Sequence, residues 1–275
     1  MTAIETPHPT RSVVGDPDLA LRLRWAIADT NAVLWRDTIR TLRQPEMLSF
    51  AVLMGSFFLI LFNYVFGGSI GAGAGIDYLQ FLVPGVLVIT ALNGAQQTSM
   101  GLAADLTEGV TDRFRSLPMS QVAVIAGRTL ADAGRNVVGL TLVVLISLLM
   151  GYRFGSFAGA VGAVLLATAM GFAFSWMGAA IAAKVRQPDM VGMLSMFWLF
   201  PTMMASTAFA PAETMPGWLQ PFARYQPVSV ASDAVRGLAG GNLDPSDLVL
   251  SFAWIVGMLV LFVPLSMRLY TAADR

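Results

Sequence analysis

Six stretches of the sequence carry no charged residue over a length that allows a helix to cross a membrane. They cover residues 47–76, 78–104, 136–152, 154–183, 190–212 and 248–267. A transmembrane helix needs about 20 mostly apolar residues, and continuously apolar stretches do not show the alternation of barrel strands. The pattern therefore predicts six transmembrane helices, near 48–66, 79–102, 134–152, 158–182, 190–209 and 248–267. The glycine-rich segment 67–75 is expected to be a flexible linker.

Apolar residues before the first stretch recur at spacings of three and four from Leu21 to Leu42, which is typical of one face of a helix. We expect 1–17 to be a disordered cytoplasmic tail, 18–46 an amphipathic interfacial helix, and 47–275 a six-helix transmembrane domain. The interfacial helix has two interpretations: it anchors the first span, or it also contacts a cytoplasmic partner.

The distribution of positive charge predicts the topology. With a cytoplasmic N-terminus, 14 of the 17 lysine and arginine residues fall in cytoplasmic segments, as the positive-inside rule requires. Both termini are therefore expected in the cytoplasm. A chain with 56% hydrophobic and only 12% charged residues has too little polar surface for a water-soluble enzyme, a nucleic-acid binder or a disordered protein.

Few residues offer catalytic chemistry. The sequence has no cysteine and one histidine, His8, and its single lysine, Lys184, is not part of a G-x-x-x-x-G-K-[ST] phosphate loop. We expect no catalytic residue, no metal site and no cofactor on this chain. Asp132 and Arg135, near the start of the third span, are expected to pair with each other or to sit at the membrane interface. The shortage of ionisable groups in the spans argues against an ion relay.

The cytoplasmic loop Asp105–Gln121 is short and patterned. Glu108 and Asp112 lie one helical turn apart, Phe114 stands between two arginines, and Pro118 ends the turn. Docking to a partner and a simple solvated turn are both open interpretations, whereas catalysis has little support.

Five prolines divide the outer segment 210–247, which predicts short helices and turns in a small folded cap. Gln226 is expected to be extended because it precedes Pro227, and Ser229 or Ser232 is expected to cap the next helix. This motif either positions the sixth span or forms an outer gate contact.

Two sets of residues in the spans could line a path for cargo. The fifth stretch has a soft apolar stripe at helical spacing, formed by Met193, Met196, Phe197, Phe200 and Met204. Ordinary packing or lipid contact is the alternative interpretation of that stripe. The second stretch contributes the uncharged polar residues Asn93 and Gln97.

Two motifs and the order of the spans resemble a known family. The cytoplasmic segment reads E-G-x-x-D-R-x-R-S-L-P-M-S from Glu108, and the outer segment ends in R-Y-Q-P-V-S from Arg224. The chain from about Leu21 resembles the type-2 ABC exporter permeases, most closely the daunorubicin-resistance group. The resemblance implies an all-α membrane fold, a coupling helix at about 105–118 and an outer hairpin at about 210–230. The residues implied to contact an ATPase are Glu108, Gly109, Asp112, Arg113, Phe114, Arg115 and Pro118.

The resemblance also implies partners. Such permeases form dimers, identical or paired, over two cytoplasmic ATP-binding subunits that hold ATP and magnesium. A bacterial cell membrane, contact with lipid, no nucleic acid, and a cargo that is a hydrophobic drug, a lipid or a polysaccharide precursor are the corresponding expectations. Gln226, Pro227 and Ser229 would form the outer motif. A transporter driven by an ion gradient and a non-transporting membrane scaffold are the alternatives.

Overall fold

The computed structural model describes residues 45–74, 77–107 and 121–272, and this part of the chain is helical without strands. The predicted tail and most of the predicted interfacial helix lie outside it. The α-helices are α1 (Pro45–Ala74), α2 (Tyr78–Thr107), α3 (Gln121–Leu149), α4 (Phe157–Val185), α5 (Pro188–Met204), α6 (Gln220–Tyr225), α7 (Pro227–Gly240) and α8 (Pro245–Ala272). A 3-10 turn, Ala212–Thr214, precedes α6.

Four of the described helices are long and apolar enough to cross a membrane: α2, α3 from Gly127 to Leu149, α4, and α8 from Pro245 to Tyr270. The chain is therefore a multi-pass membrane protein. The first predicted span coincides with α1, which contains the shorter apolar helix Gly55–Gly68. The fifth predicted span coincides with α5, a helix of 17 residues.

Four predicted boundaries are wrong. Helix α3 begins at Gln121 instead of 134. The glycine-rich segment is helical, since α1 continues to Ala74. The third helix ends at Leu149 instead of 152, and Gly151 then adopts a φ of 102°, a conformation that glycine accepts without strain. The fifth helix ends at Met204 instead of 209, because the chain turns after Ala205, and Ser206 to Phe209 are buried in the turn that follows.

Helix α2 forms the centre of the bundle and packs against α1, α3, α4, α5 and α7. Its contact with α4 depends on small residues. A β-carbon at Gly178 would overlap the side chain of Ser99, and one at Gly171 would lie 2.7 Å from the carbonyl oxygen of Ala91. Small residues let two helix backbones approach closely, which compensates for the weak hydrophobic drive between helices in lipid.

We call the end of the bundle where α2 ends and α3 begins the inner end, and the opposite end the outer end, following the predicted topology. The outer end carries the short helices α6 and α7, which confirms the predicted division of the proline-rich segment. The loop before them lies on the outer parts of α1 and α2: the ring of Phe209 stacks on Phe62 at 4.4 Å between centroids, and the hydroxyl of Tyr78 donates to the carbonyl of Phe209 at 3.0 Å.

Candidate functional site: the two ends of the bundle

The predicted coupling residues Glu108, Gly109, Asp112, Arg113, Phe114, Arg115 and Pro118 lie outside the described residues. The structure does describe both helices that flank them. Helix α2 ends at Thr107 and α3 begins at Gln121. Any movement of this segment must therefore act on these two helix ends.

A group of charged side chains joins α2 to α3 at the inner end, and we call it the inner ion cluster: Asp105, Arg128, Asp132 and Arg135. The guanidinium of Arg128 pairs with the carboxylate of Asp105 on α2 and lies 4.0 Å from that of Asp132. Asp132 also pairs with Arg135 at 2.7 Å, as the sequence predicts. The cluster therefore joins the last turns of α2 to the first turns of α3.

Because Gly101 has no side chain, the Arg128 side chain can pack closely against α2. A β-carbon at Gly101 would overlap a guanidinium nitrogen of Arg128. Glycine inside a helix is less stable than alanine. The close contact with Arg128 explains why glycine nevertheless occupies this position.

A second contact at the inner end joins α2 to the turn between α4 and α5. The hydroxyl of Thr107 donates to the carbonyl of Arg186 at 2.5 Å. Arg186 caps α4 with a φ of 58°, which is the left-handed region and is uncommon for a residue other than glycine. The end of α2 therefore contacts both α3 and the α4–α5 turn.

At the outer end, Gln226 connects α5 to α7. Its extended backbone, with φ −70° and ψ 151°, confirms the prediction for a residue before proline. The side chain is only 4% exposed. Its amide nitrogen donates to the carbonyl of Thr202 and to the hydroxyl of Ser229, each at 3.0 Å. Gln226 thus bonds to the last turn of α5 and to the first turn of α7.

The predicted capping role of Ser229 and Ser232 is wrong. The residue at the N-cap of α7 is Gln226, and Pro227 occupies the first turn. Ser229 is buried and its hydroxyl accepts a hydrogen bond from the backbone nitrogen of Thr207 at 3.0 Å. Ser232 donates to the carbonyl of Val228 within α7. Pro227 has no N–H that needs a cap, and a distant segment uses Ser229 instead.

Two charged residues of α7 that the sequence analysis did not select complete the outer end, and with Thr207 and Ser229 we call them the outer cluster. Arg236 pairs with Asp233 and donates to the carbonyls of Phe81 at 3.2 Å and Thr207 at 3.0 Å. Its guanidinium also lies 3.8 Å from the ring centroid of Phe81. These contacts join α7 to α2 and to the loop after α5.

The Asp233 carboxylate has its own partners in the outer cluster. The hydroxyl of Thr207 lies 3.1 Å from each of its oxygens. Burial raises the pKa of the Asp233 carboxyl, and the Arg236 charge and the Thr207 hydroxyl oppose that rise. The sequence did contain a signal for this ion pair. Asp233 and Arg236 are three residues apart, and so lie on one face of a short helix that has few other polar side chains.

The residues of the predicted cargo path lie on two helices that meet. On α5, residues Met193, Phe197, Phe200 and Met204 share one exposed face with the adjacent Met196, and Phe197 is 82% exposed. On α2, Gln97 is exposed and Asn93 half-buried. Gln96, next to Gln97, donates to the carbonyl of Gly192 at 3.2 Å, which brings α2 and α5 into contact beside the start of the stripe.

Comparison with known proteins decides the family. Residues 29–239 match the family model described as ABC-2 type transporter. The chain belongs to this family. The match includes the predicted coupling segment, the inner ion cluster and the outer cluster.

Individual relatives agree with the family match. The chain is 39% identical over 246 residues, 89% of its length and 87% of the relative's, to a daunorubicin resistance ABC transporter permease protein of Streptomyces coeruleorubidus. It is 26% identical over 226 residues, 78% of its length and 79% of the relative's, to a probable doxorubicin resistance ABC transporter permease protein of Mycobacterium tuberculosis. A putative transport permease of Cyanophora paradoxa is 23% identical over 205 residues, 73% of this chain and 70% of the relative. The protein is thus a permease subunit of an ABC transporter, the non-catalytic membrane component.

Proposed function

We propose that this permease is the membrane subunit of an ATP-driven exporter in a bacterial cell membrane, with six spans and both termini in the cytoplasm. The observation that carries the proposal is the family match over residues 29–239. The uncharged stretches and the excess of arginine in the predicted cytoplasmic segments support the topology.

ATP and magnesium are proposed to bind to two copies of a cytoplasmic ATP-binding subunit, and a second permease, identical or related, completes the complex. The sequence supports this division of roles. It has no phosphate-loop motif, and Lys184, its single lysine, follows two alanines in A-A-K-V-R. The energy for transport is therefore proposed to come from the ATP-binding subunits.

The segment 105–118 is proposed to be the coupling helix, with Glu108, Asp112, Arg113 and Arg115 as polar contacts to the ATP-binding subunit. The inner ion cluster supports a mechanical role for its two ends. Because Asp105 and Arg128 pair across α2 and α3, a displacement of the segment acts on both helices together. Since α2 packs on most other helices of the described bundle, a displacement of α2 would also move those helices.

The outer motif of Gln226, Pro227 and Ser229 is proposed to belong to an outer gate. Helix α2 supports a connection between the two ends of the bundle. Its inner turn carries Asp105, and its outer turn presents the carbonyl and the ring of Phe81 to Arg236. Two packings of the bundle, biased by the nucleotide state of a partner, would then differ at both ends.

The cargo is proposed to be a hydrophobic or amphipathic molecule, with drugs of the kind named for the relatives as the first class to test. The exposed α5 stripe and the uncharged residues Asn93 and Gln97 support an apolar path that offers a few hydrogen-bonding groups. Outward export and transfer between leaflets are both consistent with this path.

The decisive experiment begins with the tagged full chain purified from its native membrane in mild detergent, followed by mass spectrometry of the proteins that accompany it. We expect a near-stoichiometric ATP-binding subunit with a phosphate loop. The same cells then serve for export of daunorubicin with Glu108→Ala and Arg113→Ala variants. Both should be inserted in normal amounts and should lose export, because they remove contacts to the ATP-binding subunit.

Two results would contradict the proposal. Export that survives ATP depletion and disappears with the ion gradient would indicate a secondary transporter. Normal export by both variants would show that the segment is not the coupling helix. The matched control is Arg153→Ala, which directly follows the third predicted span and so falls on the outer side of the predicted topology. It should export normally.

A further inference from the structure

A cavity of about 470 Å³ lies between α4, α5, α8 and the outer hairpin. Helix α8 contributes Trp254, Met258 and Phe262, which are spaced four residues apart and so form one stripe along the helix. Eight residues at a rise of about 1.5 Å correspond to about 12 Å. The cavity therefore extends along the helix axes, for at least two turns of α8.

The walls formed by α4 and α5 also run along the helix axes, and they are mostly apolar. Phe174 and Met177 line the cavity from α4, and Trp198 and Thr202 line it from α5, each pair one helical turn apart. No charged side chain is among the lining residues. Burial of an unpaired charge costs a great deal of free energy, so the part of a ligand that enters this cavity must be uncharged.

The cavity has a buried floor and an exposed mouth. At the floor, Gln226 and Met258 are 4% and 6% exposed, whereas at the mouth Tyr225 is 67% exposed. Two lining side chains have a buried polar atom with no hydrogen-bond partner in the described part of the chain: the indole nitrogen of Trp198 and the amide oxygen of Gln226. Neither atom is accessible from the cavity, whose exposed surface is almost entirely apolar.

The residues around the mouth are those of a membrane surface. Trp218 is 80% exposed on the hairpin, and the exposed pair of Arg224 and Glu213 is joined at 3.0 Å next to Tyr225. Tryptophan and tyrosine concentrate at the level of lipid headgroups. The indole of Trp254 donates to the carbonyl of Tyr225 at 3.1 Å, which attaches the mouth to α8.

We propose that this cavity binds one acyl chain of a membrane phospholipid whose headgroup lies at Arg224 and Glu213. Three observations support a lipid chain over a compact drug: the cavity is elongated along the helices, its lining carries no charge, and its mouth has the residues of the headgroup level with a group of each charge. The bound chain fills the space between the hairpin and the spans, and so stabilises the contact of Tyr225 with α8. This site does not depend on the proposed transport cycle.

The test uses the full chain in vesicles of phosphatidylethanolamine and phosphatidylglycerol that contain a phospholipid with a photoreactive diazirine on one acyl chain. After illumination, mass spectrometry locates the labelled residues. We expect labels to concentrate on Met177, Met258 and Phe262. Filling the cavity with Met258→Trp should reduce this labelling about tenfold, since a filled cavity excludes the chain.

The matched control is Leu261→Trp, on the same helix at a side chain that is 60% exposed and does not line the cavity; its labelling pattern should be unchanged. Met177→Phe fills the cavity from α4, and covers the case in which Met258→Trp does not fold. Labels spread evenly over the exposed face of α8, or unchanged by both filling variants, would overturn the proposal. Displacement of the label by added daunorubicin would show a drug site instead of a lipid site.

Discussion

The two ends of the bundle hold their charged side chains in different ways. At the inner end, Asp105 and Arg128 meet as one side chain against another, with 18% and 16% of each exposed. At the outer end, Arg236 pairs with Asp233 and also donates to two backbone carbonyls and covers an aromatic ring. The inner pair joins a side chain of α2 to one of α3, whereas the outer contacts also include backbone carbonyls of α2 and of the loop after α5.

This difference suggests where each end can change in a transport cycle. Both ends are partly exposed to water, with 18% and 16% of the Asp105 and Arg128 side chains and 32% and 23% of the Asp233 and Arg236 side chains accessible. The two ends therefore differ in the backbone segments that they join, and not in exposure. The outer cluster combines contacts from α2, α7 and the loop after α5, so the loss of one contact leaves other buried groups without partners. The inner end is thus suited to respond to a partner, and the outer end to move as a unit.

The strongest test of this comparison is Arg236→Ala. Its removal leaves the Asp233 carboxylate without its arginine partner, and the carbonyls of Phe81 and Thr207 each lose one donor. We expect a loss of about 2–4 kcal/mol in the free energy of unfolding, below the full cost of breaking a wholly buried pair, since Asp233 is partly exposed. Denaturant unfolding of the detergent-solubilised chain measures this loss.

The control is Arg224→Ala, which removes an exposed pair from the same hairpin and should cost about 0–1 kcal/mol in the free energy of unfolding. Equal losses from both variants would contradict the comparison.

A second substitution tests the backbone contact of the outer end without changing charge. A β-carbon at Gly85 of α2 would overlap the carbonyl of Ala208 in the loop after α5. Gly85→Ala should therefore push that loop, which carries Thr207, away from α2 at a cost of about 1–3 kcal/mol in the free energy of unfolding.

Gly257 is the matched control for that substitution. It lies in α8, and a β-carbon there would have no neighbour within 4 Å. Gly257→Ala should leave stability unchanged or raise it by up to about 1 kcal/mol, because alanine is the better helix former. Thermal unfolding of both variants in the same detergent gives the comparison. A stable Gly85→Ala chain would show that the loop is free to shift.

The inner ion cluster is tested by a double-mutant cycle of Asp105→Asn and Arg128→Gln. Each single variant should lower the free energy of unfolding by about 1–2 kcal/mol, because a partly buried charge loses its partner. The double variant should lose less than the sum, which isolates the pair. If the pair also transmits movement of the coupling segment, export should fall well beyond what the loss of folded protein explains. Additive losses in stability would show that the pair contributes nothing of its own.

The sequence predicted what depends on local pattern. Each of the six uncharged stretches overlaps a helix of the structure, α1 to α5 or α8, and four of these described helices are long and apolar enough to cross a membrane. The absence of charge over a helix length is a property of neighbouring residues, so it can be read from the sequence. The prolines of the outer segment also led to the correct division into short helices. The pairing of Asp132 with Arg135 was predictable for the same reason, since three residues separate them.

The contacts of the outer end could not be predicted, because they join segments far apart in sequence. Arg236 bonds to Phe81, 155 residues away, and Ser229 bonds to Thr207, 22 residues away. The position at which α5 ends could not be predicted for the same reason. The chain turns at Ala205, and this turn places Thr207 in contact with Ser229 of α7. Hydrophobic pattern carries no information on such partners. The predicted coupling residues from Glu108 to Pro118 lie outside the described part of the chain, and their assignment stays a prediction.

Gln226→Leu is the mildest of these tests and asks whether the outer motif acts through hydrogen bonds. Leucine fits a buried position of similar size, and the amide oxygen that is lost has no partner among the described residues. The hydrogen bonds that Gln226 donates to Thr202 and Ser229 are lost, so we expect a decrease of about 1 kcal/mol or less in the free energy of unfolding.

Gln220→Leu, which removes one bond to the carbonyl of Met215 within the hairpin, is the control. If Gln226 joins α5 to α7, its variant should increase hydrogen exchange at both Ala205 and Val230, and the control should affect neither. Faster exchange within the hairpin alone would show that the motif shapes only the turn before α7.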